Sequence, residues 1–328
     1  MTGQLAVLSY HGWEVAPSRL AADVARLRAD GWRDCSLAEV EAIASGDRAC
    51  DRRYFHVTLD DGAEQDLACV DALEGIACPA TLFISLETMT AAARQAYSTL
   101  IDRADPSRIV IADHSLRHQR IFTSRRLVGF HAATAPLMSS PERLGLQTGD
   151  PVCAYGGELS RPQFTPDPRA TARCRLVAAG TSAPPSSAAW TAALENSLLD
   201  ARLAFRRFGR LCLEGRYETR EEFRTRLDKQ LCDGREALAA FLGRAPWAFA
   251  HPWWQPSPAS DRVLRSLGYR LTFSGLGLWR DGGAYGIPRL FVSNATPRPL
   301  APQRATAFQR MRESWAAVQE AGRRVLWA

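Results

Sequence analysis

Lysine is almost missing from this 328-residue chain. Lys229 is the single one among 41 basic residues, and the rest are arginines. Histidine is scarce too, at six. No apolar run approaches the roughly 18 residues of a membrane span. None of the eight cysteines (35, 50, 69, 78, 153, 174, 212 and 232) forms a CxxC pair. That argues against a zinc knuckle or a disulfide framework and leaves reduced thiols packed as small apolar groups. There are no internal repeats. No basic stripe with interleaved aromatics points to nucleic acid. The opening Met1-Thr-Gly-Gln has no basic start, and Leu5–His11 is short for a secretory apolar region, so the reading is a cytoplasmic protein.

What is present is ordinary for a globular chain: 46% hydrophobic and 23% charged residues. The length suits two domains or one barrel-type domain. The net charge of +6 gives a modest positive field, which would favour an anionic substrate such as a phosphorylated or lipid-linked sugar. Oligomeric state is not encoded in any pattern here.

Strands and helices alternate over the first 115 residues. Leu5–Ser9, Tyr54–Leu59, Ala80–Ser85 and Arg108–Ala112 read as strands. Helices are expected after a Ser18 cap (with Leu20, Val24 and Leu27 on one face), over Ala63–Leu73 and over Thr90–Ile101. This rhythm argues for a parallel sheet or barrel. It breaks from Gln119 to about Tyr217, a stretch rich in Pro, Ser, Arg and Gly that reads as a partly ordered insertion with one helix over Ala188–Phe205. Pattern resumes at Thr219-Arg-Glu-Glu222, a capping box that opens a long helix. Trp247–Ala250, Tyr269–Phe273 and Arg289–Val292 read as strands, Asp261–Leu267 as a helix, and Ala305–Val325 as a terminal helix. The domain reading is a discontinuous barrel (1–118 and 216–300), an insertion or lid (119–215) and a C-terminal helix (301–328).

Three constellations fall where strands end. In Val57-Thr-Leu-Asp-Asp-Gly62, adjacent carboxylates point in different directions. One can bind a metal while the other faces a water, and glycine permits the exit turn. A plain helix cap is the alternative. In Asp113-His-Ser-Leu-Arg-His118, two histidines four apart would share one face of a helical turn, close enough for one metal ion; two solvated loop histidines are the alternative. Together the two segments suggest an Asp-His-His site with open positions, the catalytic form of zinc. Such a site lowers the pKa of bound water toward about 7, so a nearby carboxylate can take its proton. The third constellation is Trp247-Ala-Phe-Ala-His-Pro-Trp-Trp254. Pro252 fixes the local backbone, the Trp253 amide could face a developing oxyanion, and the Trp rings could form a sugar-stacking wall or an aromatic core corner.

These residues resemble the polysaccharide deacetylase family, carbohydrate esterase family 4, whose catalytic unit is the nodulation-type deacetylase domain. Thr58-Leu-Asp-Asp-Gly62 matches its T-F-D-D-G strand end and His114-Ser-Leu-Arg-His118 its H-[ST]-x-x-H. Phe249-Ala-His-Pro-Trp253 is a looser match to a later strand motif. Leu8-Ser-Tyr-His-Gly12 resembles the subgroup that opens with Y-H. The resemblance implies a distorted (β/α) barrel, an α/β fold of about seven parallel strands, with the site at the carboxyl ends of the strands. It implies metal-dependent removal of an N-acetyl group from an amino sugar, free or linked to a nucleotide or lipid. By motif match Asp60 is the base; Asp61, His114 and His118 hold Zn²⁺ or another divalent ion such as Co²⁺, Ni²⁺ or Mn²⁺; and the Trp253 amide serves the oxyanion.

Two departures stand out. Ala250 occupies the position of the family's base-orienting arginine, for which Arg289 is a candidate replacement; a surface ion pair is the alternative. No histidine follows His251, so the usual late catalytic histidine is absent. His11, at the end of the first strand, is the chosen general acid, with His251 second and His56 and His131 lower. Trp254, His251 and Arg289 are the candidate substrate contacts. The rival readings are hydrolysis of another amide, such as a formamide or cyclic ureide, and a carbohydrate-binding barrel without catalysis.

Overall fold

The structure, a computed structural model, describes residues 3–132, 145–279, 283–294 and 296. The expected helix over 305–325 lies outside the described residues. The chain divides into two compact units: residues 1–118 with the described residues from 227 onward, and residues 119–226.

The first unit alternates strands and helices. In chain order these are β1 (Gln4–Tyr10), α1 (Pro17–Ala29), β2 (Arg33–Asp34), α2 (Leu37–Ser45), β3 (Arg53–Asp61), α3 (Asp66–Gly75), β4 (Ala80–Ile84), α4 (Ala91–Arg103) and β5 (Ile109–Asp113). The second unit holds β6 (Arg120–Phe130), β7 (Pro151–Gly157), β8 (Phe164–Pro166), α5 (Pro168–Gly180), α6 (Ala188–Asp200), β9 (Ala204–Arg207), β10 (Arg210–Leu213) and β11 (Gly215–Tyr217). The long helix α7 (Arg220–Leu242) contains the boundary between the units, and β12 (Ala248–Ala250), α8 (Pro258–Ser266), β13 (Leu271–Leu276) and β14 (Ile287–Phe291) complete the first.

Seven parallel strands close into a barrel in the order β1-β14-β13-β12-β5-β4-β3, the β1–β3 pairing completing the ring; β2 pairs with β3 outside it. The strands are near-continuous apolar runs because both faces are buried. Period-two alternation sorts their side chains. Leu5, Val7, Tyr54, Phe83, Val110, Ala112, Ala248, Ala250 and Ile287 share one core cluster with α2. Ala6, Leu8, Tyr10, Phe55, Val57, Leu59, Ile109, Ile111 and Leu290 share another with α1, α3 and α4. Ser9, Asp60, His114 and Arg289 continue the first set, so strand parity carries all four into the barrel at its carboxyl end.

Several local expectations change. The first helix starts at Pro17 with Ala16 as N-cap, not Ser18, because proline suits the first helical position. Helix α2 was not anticipated, although Ser36 and Glu39 form a full capping box. The tandem carboxylates do not cap a helix: α3 begins only at Asp66, after Gln65. In the long helix the box is present as read, with the Glu222 N–H donating to Thr219 Oγ1 at 3.1 Å and the Thr219 N–H to Glu222 Oε2 at 2.8 Å.

The second unit is more regular than its composition suggested. Its sheets are antiparallel, one of four strands (β7-β6-β10-β9) and one of two (β11-β8). A core of Phe130, Phe164, Trp190, Leu194, Leu198 and Leu213 binds them to α5 and α6. The helix expected over 188–205 stops at Asp200, and Ala204–Arg207 turn into strand.

Candidate metal centre

Asp60 and Asp61 end β3, and the chain turns there. Asp60 keeps the inward parity and is 2% exposed. Its Oδ1 accepts from Arg289 Nη1 at 2.7 Å and its Oδ2 from Ser9 Oγ at 3.1 Å. Arg289 also donates to Thr58 Oγ1 at 3.3 Å and lies 5.5 Å from the Phe83 ring centre. Burial opposes ionisation of Asp60, but the Arg289 charge beside it outweighs that cost and brings the carboxyl down to about 2. Asp60 is therefore ionised at neutral pH. Arg289 is not in a surface pair; it is 1% exposed and spent on this carboxylate.

Asp61 adopts φ +80 and turns out of the strand. Its Oδ1 lies 3.2 Å from His118 Nε2 and 3.6 Å from His114 Nε2, and its Oδ2 3.8 Å from His11 Nε2. One donor atom from each of Asp61, His114 and His118 falls within 4.8 Å of the others. The two histidines do not sit on a helical turn. Residues 114–118 form an irregular turn with φ +70 at Ser115 and +49 at His118. Asp113 holds it, accepting from the Ser115 N–H at 2.8 Å and from the Tyr269 hydroxyl. Burial pushes the Asp113 carboxyl up to about 6 against those two donors and Arg235. Gly234 of α7 lets the turn approach, since a Cβ there would stand 3.2 Å from the Leu116 nitrogen.

Two observations test whether these residues suit a cation. Asp61 Oδ1 is buried with no hydrogen-bond partner, although it faces two imidazoles. And His114 Nδ1 lies 2.8 Å from the Ala250 carbonyl oxygen, which can only accept. The proton therefore sits on Nδ1 and leaves the Nε2 lone pair toward Asp61. Burial, reinforced by His118 and Arg289 against the pull of Asp60 and Asp61, drives His114 down to about 3, so its ring is neutral. A carboxylate with two imidazoles is the donor set of a divalent cation, and three protein ligands is the number a catalytic zinc site uses. The residues fit.

The other predicted residues fall around this cluster or apart from it. His11 is 12% exposed at its side chain and lies 3.9 Å from Glu14 Oε2, with its ring 5.3 Å from Trp13 and 5.4 Å from Phe291. Trp253 packs 4.6 Å from His118, centre to centre, and Trp254 5.3 Å from Phe291; both have positive φ, +59 and +54. Among the described residues, five of the nine non-glycine residues with positive φ belong to this region, and such strain concentrates at functional sites. His251 is fully buried, and its Nε2 lies 3.1 Å from Asp261 Oδ1. Burial holds its ring below the ordinary value despite Asp261. His56 is tied to Cys35 O (2.8 Å) and Thr81 Oγ1 (2.9 Å) inside the barrel. His131 belongs to the second unit.

Sequence reading missed Ser9, Asp113 and Asp66. Asp66 accepts from the Gly12 N–H (2.9 Å), the Ala63 N–H (2.8 Å) and the Tyr97 hydroxyl (2.9 Å), tying the turn after His11 to the turn after Asp61. Gly12 is required there, because a Cβ would lie 2.4 Å from Asp66 Oδ1. The only sequence signal for Ser9 was its parity with Leu5 and Val7.

No family model matches the sequence, and no curated protein matches it. Solved structures do match the fold. IcaB from Ammonifex degensii is 15% identical, with 90% of this chain and 94% of that one covered and a TM-score of 0.53. A de-N-acetylase from Aggregatibacter actinomycetemcomitans is 12% identical over 93% of this chain and 100% of that one, with a TM-score of 0.59. The BpsB deacetylase domain from Bordetella bronchiseptica is 14% identical over 89% and 97%, with a TM-score of 0.55. The chain thus has the barrel fold of these deacetylases, the group its motifs resemble. No helix among the described residues is long and apolar enough to cross a membrane.

Proposed function

We propose that this protein is a metal-dependent hydrolase that removes the N-acetyl group from an amino sugar. The observation that carries the reading is the Asp61-His114-His118 donor cluster with ionised, arginine-paired Asp60 beside it. The fold shared with structures described as deacetylases supports the same chemistry.

A divalent ion held by Asp61, His114 and His118, zinc being the first choice, would supply Lewis acidity to the acyl carbonyl and lower the pKa of attacking water. Asp60 takes the proton from that water. Arg289 and Ser9 orient its carboxylate and keep it charged beforehand, so no rearrangement is needed during reaction. His11, beside Asp61 and within 3.9 Å of Glu14, protonates the departing nitrogen. The Trp253 amide, turned by its left-handed backbone, assists the oxyanion. Trp13, 57% exposed next to His11, offers an aromatic face to the sugar, with Trp254 as the second. His251, buried against Asp261, supports the turn that carries Trp253.

The test is acetate release from N-acetyl sugars by the zinc- or cobalt-loaded protein. Asp60→Asn should keep its metal and lose about 10²–10⁴ in kcat. Full activity in that variant would remove Asp60 from the mechanism. Formate release from a formamide, with no acetate from any N-acetyl sugar, would redirect the reading to another amide.

A further inference from the structure

Residues 119–226 contain sixteen arginines and ten aspartates and glutamates, a net +6 that equals the charge of the entire chain. Within this unit a groove of about 470 Å³ is lined by Arg125, Arg126, Arg207, Phe208, Arg210 and Tyr217, among others. Among the described residues, Arg125, Arg207 and Arg210 stand in no ion pair. Several acids of the unit pair with other arginines, as in Arg175–Asp150, Arg226–Glu218 and Arg216–Glu222.

The groove is built. Arg125 lies over the rings of Phe205 (5.5 Å) and Tyr217 (5.6 Å), and its backbone N–H donates to the Tyr217 hydroxyl at 3.1 Å. Stacking on aromatic faces holds a guanidinium in place while its edge stays free to donate. On the other side, Arg207 and Arg210 face each other across the β9–β10 hairpin, with Phe208-Gly209 as its two-residue turn. Phe208 has φ +49 and is 89% exposed. This turn type prefers Asn or Gly at that position, so an aromatic here carries backbone strain and exposed apolar surface, with the Arg207 guanidinium 5.4 Å from its ring centre as a neighbour. Both costs make sense where the ring meets a ligand.

We propose that this groove, lined by none of the metal-centre residues, binds a saccharide bearing carboxylate or phosphate groups. Guanidinium forks suit both acids, and the Phe208 and Tyr217 faces suit the apolar side of a sugar ring. The choice of a sugar rests on the carbohydrate reading above; the choice of an anion rests on the arginines alone.

The experiment is calorimetric titration of the full chain with tetragalacturonate, glucose 1-phosphate and neutral maltotetraose, alongside dT12 and phosphatidylglycerol vesicles. At least one acidic sugar should bind at least tenfold tighter than maltotetraose and weaken as salt rises; which one does so separates carboxylate from phosphate. The Arg207→Ala/Arg210→Ala variant should lose at least tenfold of that affinity, and Phe208→Ala about fivefold. Because all three side chains are exposed, folding is not at stake. The proposal is overturned if neither acidic sugar outbinds maltotetraose, if the double variant binds as well as wild type, or if only dT12 or vesicles show a variant-sensitive interaction. Acetate release from a neutral N-acetyl sugar should be unchanged in the double variant. A protein that binds tetragalacturonate but releases no acetate sinks the deacetylase reading alone; one that releases acetate but binds neither acidic sugar sinks the groove alone.

Discussion

The two units of this chain use charge in opposite ways. Across the barrel residues 1–118 and 227–300, acids outnumber bases by 23 to 20, and the decisive groups are buried and paired: Asp60 with Arg289, His251 with Asp261, and Asp61 facing two imidazoles. In residues 119–226 the excess is all positive, and its key arginines stand at the surface. Buried charge is expensive unless its partners are fixed, so the barrel gains geometry at a cost in tolerance. Exposed charge costs little and fixes little, which suits capture of a ligand rather than chemistry on it.

The sharpest way to break this contrast is Arg289→Ala, which strands a buried carboxylate. A loss of about 3–5 kcal/mol in urea denaturation at pH 7 is expected. The paired Asp60, held near 2 when folded against about 3.9 unfolded, contributes stability that is present above pH 4 and lost as the pH falls toward 2. Without Arg289 that contribution should disappear. A cost under about 1 kcal/mol would mean the pair is not buried as described.

His56 gives a smaller effect. Burial lowers its folded pKa from 6.5 to about 4. The unfolded chain therefore takes up a proton first, and stability present above pH 6.5 should fall by about 3 kcal/mol as the pH drops to 4. His56→Gln should be weaker at pH 7 yet flatter across that window. Equal slopes for both proteins would contradict the assignment.

Smallest of all, Phe208→Ala and Phe208→Gly should change stability by no more than about 1 kcal/mol, because the exposed ring has only a surface contact with the Arg207 guanidinium to lose and glycine relieves its positive φ. A larger loss, read as a drop in Tm, would show that the tip is structural and blur the contrast between the units.

The barrel was legible because its strands obey a short-range rule: apolar runs that end in polar clusters. Asp60, Asp61, His114 and His118 could be found from two such ends. The Arg289–Asp60 pair, 229 residues apart, depends on β1 joining β14 to β3, and nothing local announces it; Arg289 was a candidate only because a different arginine was missing. Asp66 went unnoticed because a helix-start aspartate has an ordinary explanation. In the second unit, Pro and Ser clusters concealed real helices, and apolar Leu203-Ala204-Phe205 extended a helix that had ended at Asp200. The arginine groove was invisible because β6 and the β9–β10 hairpin lie far apart in sequence.

The most direct test of the central claim is titration of metal-stripped protein with Zn²⁺, read by calorimetry and by metal content after dialysis. The account predicts one tightly bound ion per chain, retained in Asp60→Asn and lost in both Asp61→Ala and His118→Ala. Stoichiometric zinc that survives both of those substitutions, or wild type that holds no divalent ion at all, would contradict it.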